Sequence, residues 1–65
     1  MSDHVERMKI EHKELEEKVT ALNTFIYSNP FFETLDVFEK VRMIKQCGHM
    51  ESYLQVLGSR IWVAV

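Results

Sequence analysis

The chain's single proline, Pro30, lies near the midpoint of 65 residues and limits the fold more than any other residue. Its ring removes a backbone donor, clashes with the preceding turn of a helix and biases the residue before it away from helical angles. A helix running toward it must stop at Ser28 or Asn29. Both flanking halves carry helical periodicity, so the proline sets a corner between two long helices, and a short corner forces them antiparallel. The predicted fold class is all-α, an antiparallel two-helix hairpin with a Pro/Phe corner.

In the first half, Asp3 followed by Glu6 has capping-box spacing and places acids at the positive end of a helix dipole. Helix 1 is predicted over about 4–28. Val5, Met8, His12, Leu15, Val19, Leu22 and Ile26 recur at intervals of three and four, an a/d seam broken only by His12. Glu14 with Lys18, and Lys13 with Glu17, are spaced as i,i+4 pairs on the outer side. Residues 29–36 form the corner, with Asn29 and Pro30 capping a single turn whose Phe31 and Phe32 rings plug the open end of the pair. Asp36 and Glu39 repeat the capping-box spacing. Helix 2 then carries Val41, Ile44, Cys47, Met50, Leu54, Leu57 and Ile61 on one broad stripe. Gly48, inside it, marks a close approach of another helix in preference to a bend. Gly58 is a candidate terminator, so helix 2 is predicted over about 37–58, or to 62, followed by an apolar tail of Ile61, Trp62, Val63, Ala64 and Val65. No internal repeat or second domain is visible.

A chain this short buries too little apolar surface to offset comfortably the entropy of ordering, on the order of 1.5 kcal/mol per residue. Disulfides, a metal or self-association are the usual supplements. Cys47 is the only cysteine and cannot form an intramolecular bridge. Cys47-Gly48-His49 is not a zinc spacing, and no second cysteine or paired histidine accompanies it. No metal or cofactor is therefore expected, and assembly into a helical-bundle homo-oligomer is. Its interface is assigned to Ile61, Trp62, Val63 and Val65, with His12 setting register as polar a positions do in coiled coils. Eight Lys/Arg against ten Asp/Glu give a net charge of −2, without the basic excess that drives general nucleic-acid binding. The lone cysteine, the absence of a signal-peptide pattern and the lack of an apolar run near the ~20 residues of a membrane span point to a cytosolic protein. Nothing resembles a glycine-rich loop or nucleophile elbow around Cys47, so an enzyme is not expected.

The most site-like group is Arg42, Lys45, His49 and Tyr53, spaced 3, 4 and 4, which aligns basic groups and an aromatic ring along one helix face. Such a face suits an anion, phosphate or nucleotide. A plain solvated surface uses the same residue types. Arg60 beside Trp62 is a weaker candidate, and the four methionines are core residues or an adaptable partner surface.

Glu6-Arg7-Met8, Glu11, Glu14-Leu15, Lys18, Leu22, Phe25-Ile26, Ser28, a Phe at 31 or 32 and Leu35, followed by Gln46, Met50, Tyr53, Leu57 and Arg60-Ile61, resemble a crAss-phage-related family of small tailed-phage proteins. The likeness spans about Val5 to Ile61. It rests on the whole register and on the Phe-Ile-x-Ser corner, with Gly48 and the apolar ending after Ile61 as departures. The resemblance implies a bacteriophage accessory protein in the cytoplasm of an infected host, acting by binding in host takeover or anti-defence. One form of that role is an oligomeric sponge that sequesters a nucleotide immune signal, such as a cyclic nucleotide or an ADP-ribose-type molecule. The alternative is an interaction module or scaffold that blocks a host defence protein or binds a phage protein.

Overall fold

A computed structural model describes residues 3–65. Helix α1 spans Asp3–Ser28, a 3-10 turn spans Pro30–Thr34 and helix α2 spans Val37–Ala64. The two helices pack along each other as an antiparallel hairpin, and no strand occurs among the described residues. The rod measures 49 × 15 × 13 Å. No described helix is long and apolar enough to cross a membrane.

The corner is built from local hydrogen bonds that its residue types supply. Asn29 leaves helical angles, as the residue before a proline tends to, and its side-chain oxygen accepts from the N–H of Phe31 at 2.9 Å. Thr34 Oγ1 donates to the carbonyl of Phe31 at 2.7 Å. Asp36 then caps α2, with Oδ2 accepting from the N–H of Phe38 at 2.9 Å, and such a cap contributes about 1 kcal/mol. Glu39, the second position of that box, turns its carboxylate to Arg42.

The a/d seam of α1 faces α2 along its full length: Met8, Val19 and Ile26 are buried, and Val5, His12, Leu15 and Leu22 are half-buried. The ion pairs expected at Glu14–Lys18 and Lys13–Glu17 do not form. Arg7–Asp3, Lys9–Glu6, Lys40–Glu33 and Arg42–Glu39 do, all of them solvent-accessible and worth little to stability. At the corner end Ile26, Phe32 and Cys47 make a buried cluster flanked by Leu22, Phe25, Leu35 and Met43. Phe25 meets Phe32 edge-on, with ring centroids 6.0 Å apart. Phe31, expected to share the plug, only leans on Phe25 and stays exposed, because a tight turn sends adjacent side chains in different directions.

The broad stripe expected on α2 divides in two. Met43, Cys47, Met50, Leu54, Leu57 and Ile61 form the seam that meets α1, and Leu57 is the most buried residue, at 1% exposure. Val41 and Ile44 do not belong to it. They are 44% and 47% exposed, and with Val37 and Gly48 they lie about a third of a turn round the helix. Both steps of three and four fit a stripe that drifts, and only packing against α1 separates the two rows.

The two glycines depart from expectation within the hairpin. Gly58 does not end α2, which continues as helix to Ala64. It is the point of close approach: a Cβ there would lie 3.3 Å from Nε2 of His12, so the missing side chain makes room for the one polar residue of the α1 seam. A Cβ at Gly48 would meet nothing within 4 Å, so no helix of this chain approaches it.

Candidate functional site

Arg42, Lys45, His49 and Tyr53 line one open depression of about 450 Å³ on α2, together with Gln46 and Met50. The floor is aliphatic: the stem of Met50 reaches it from the inner seam, and Gln46 Nε2 lies 3.8 Å from Met50 Sδ. Arg42, Lys45 and His49 bring basic groups to this surface. Arg42 is already engaged, its Nε and one terminal nitrogen reaching a single oxygen of Glu39 at 3.0 and 2.9 Å. Lys45 has no ion-pair partner among the described residues. The depression uses no residue of α1 and is shallow, so a molecule lying in it keeps one side in water.

Arg60, the fifth residue of the predicted ligand set, is not part of this surface. It lines a separate hollow of about 340 Å³ near the chain ends with His4, Met8, Ser59, Val63 and Ala64. Of the residues assigned to an oligomer interface, His12, Ile61, Trp62 and Val65 surround a hollow of about 350 Å³ with Lys9 and Gly58, while Val63 faces the Arg60 side. Trp62 and Val63 are 80% and 81% exposed, in keeping with a continued helix that sends successive residues to different sides. The His12 ring is half-buried against Gly58 and makes no described hydrogen bond.

A polar chain crosses the hairpin that sequence reading did not single out. The Cys47 thiol donates to Asn23 Oδ1 at 3.3 Å, and Asn23 Nδ2 donates to Glu51 Oε2 at 3.2 Å. Burial pushes the Cys47 thiol above its ordinary value of 9.0, and the nearby Glu51 carboxylate adds to the rise. Cys47 is therefore held as a neutral donor inside the core, the opposite of what a nucleophile or metal ligand needs. Asn23 lies beside the a/d residue Leu22, outside the seam, and only its hydrogen bonds to Cys47 and Glu51 of α2 show its role. Among the described residues no three His, Cys, Asp or Glu side chains gather where an ion would be held.

Fold and surface together define a small all-helical hairpin with a basic-aromatic depression on α2 and exposed apolar residues outside its core. The chain belongs to the Sequestin family, whose model it matches over residues 2–63. No curated protein and no solved structure matches it.

Proposed function

We propose that this protein works by binding alone, sequestering a small anionic ligand of nucleotide type in the cytoplasm of a phage-infected bacterium, and that it is not an enzyme. The observation that carries the reading is the convergence of Arg42, Lys45, His49 and Tyr53 on one depression. The Sequestin family name, which speaks of sequestering, agrees with it. Lys45 offers a mobile charge to a phosphate, and Arg42 offers a planar fork that must exchange Glu39 for the ligand. Tyr53 supplies a ring on which a base stacks, and His49 adds positive charge when protonated. Cyclic nucleotides and ADP-ribose-type signals combine these features. One copy leaves the ligand open to water, so the reading calls for a homo-oligomer in which the same charges act in a drier site.

Calorimetric titration of the wild type with cyclic di- and trinucleotides and with ADP-ribose derivatives tests it, beside an Arg42→Ala, Lys45→Ala double variant. The expected result is binding by the wild type, loss of roughly tenfold or more in the variant, and recovery of the ligand chemically intact. Equal affinity in the two proteins, no binding to any such signal, or a modified ligand overturns the reading. The exposed Trp62, Val63 and Val65 favour a second reading, an interaction module that blocks a host defence protein or holds a phage protein, which failure of the titration would promote.

A further inference from the structure

We infer that α2 carries a self-association face made by Val37, Val41 and Ile44 around Gly48, and that the same face of a second copy of this chain covers it. Gly48 stands in the middle of a 28-residue helix, where glycine is unfavourable relative to alanine. Neither glycine adopts positive φ, so no backbone conformation requires it. Beyond its chain neighbours and the backbone of its own helical turn, no atom lies within 4 Å of the position its Cβ would take, so no packing neighbour within the hairpin requires it either. Gly58 shows what a helical glycine does in this protein, since it admits the His12 ring. Gly48 has the same form with nothing yet seated against it.

The residues before it on the same stripe are large, apolar and exposed, with Val37 at 61% and Val41 and Ile44 somewhat less. Glu51, the next position along, is drawn to Asn23 and closes the uncharged patch. That patch holds both the knobs, Val41 and Ile44, and a hole, Gly48. A two-fold interface needs both on one surface, because each copy must offer what the other inserts. The solvent-accessible surface is 5063 Å² for a 7.7 kDa chain, against roughly 4300 Å² for a compact monomer of that mass. The excess of roughly 700 Å² is that of the whole 49 × 15 × 13 Å rod, of which this face is one part.

This face shares no residue with the basic-aromatic depression, and its test is separate from ligand binding. Sedimentation velocity at micromolar concentration compares the wild type with Ile44→Glu, Gly48→Leu and, as a control, Ile10→Glu, an exposed residue of α1. Circular dichroism reports whether each variant keeps its helices. The wild type and Ile10→Glu are expected to sediment above the monomer, whereas Ile44→Glu and Gly48→Leu remain helical and associate roughly tenfold or more weakly. Should Ile44→Glu fail to fold, Gly48→Leu decides, since leucine suits a helix interior. A monomeric wild type, both face variants associating like the wild type, or equal weakening by Ile10→Glu overturns the inference. The anion titration with the Arg42 and Lys45 variant stands or falls on its own result.

Discussion

The two ends of the hairpin are built differently. At the corner, Phe25, Ile26, Phe32 and Cys47 close a cluster over which Asn29 and Asp36 satisfy the backbone donors freed by the turn. At the open end, Met8 and Leu57 are buried and His12 settles on Gly58, but Trp62, Val63 and Val65 stay in water. The corner is complete within one chain because its groups are close in sequence and little loop entropy opposes their meeting. The open end joins residues some fifty positions apart and has no turn to cover it. It is held by few side chains and leaves apolar surface available to another molecule.

The sharpest way to break this comparison is to empty one site at each end. Phe32→Ala at the corner and Leu57→Ala toward the open end should each cost about 3 to 5 kcal/mol in denaturation at fixed protein concentration, because each leaves a cavity in a small core. Trp62→Ala should cost under about 0.5 kcal/mol in a monomeric background, since its ring touches little. A large loss at Trp62 would mean that the open end is closed in a way the hairpin does not display.

The glycines give the next contrast. In the Ile44→Glu background, Gly48→Ala should raise stability by about 0.5 to 1 kcal/mol, because a Cβ there meets nothing and the helix gains propensity. Gly58→Ala should gain nothing or lose stability, since its Cβ presses on His12 at 3.3 Å. Equal gains at both positions would show that the His12 contact does not constrain the open end.

Alkaline pH separates the ends by chemistry. The folded pKa of Cys47 lies above its ordinary value of 9.0, so folding favours the protonated thiol. The associated stability is fully present below 9.0 and is lost as pH rises through that value toward the folded pKa. Urea titrations between about pH 8 and 10 should show a decline that Cys47→Ser reduces, because a hydroxyl stays neutral there and still donates to Asn23. A decline of the same size in both proteins would mean that the thiol is not its source. The smallest effect is expected from Glu17→Ala on the outer side of α1, within about 0.5 kcal/mol by thermal denaturation.

Much of this fold is legible in the sequence because it depends on short-range rules. Pro30 stops α1, Asn29 and Asp36 cap the 3-10 turn and α2, and the three-four rhythm from Val5 to Ile26 marks a face that does meet α2. The alignment of Arg42, Lys45, His49 and Tyr53 is equally local, since helical spacing alone brings them to one side.

The partition of α2 required the tertiary structure. Its apolar residues fill two neighbouring rows, and spacing cannot say which row α1 covers, so the expected stripe takes in Val41 and Ile44 and leaves out Met43. The same holds for the glycines, for Asn23 and for Arg60. Whether a glycine ends a helix or admits a ring depends on the residue across from it, and for Gly58 that is His12, 46 positions earlier in the chain. Periodicity determines which residues share a face, but only the packing of one helix on the other decides which face is buried and which is left for a partner.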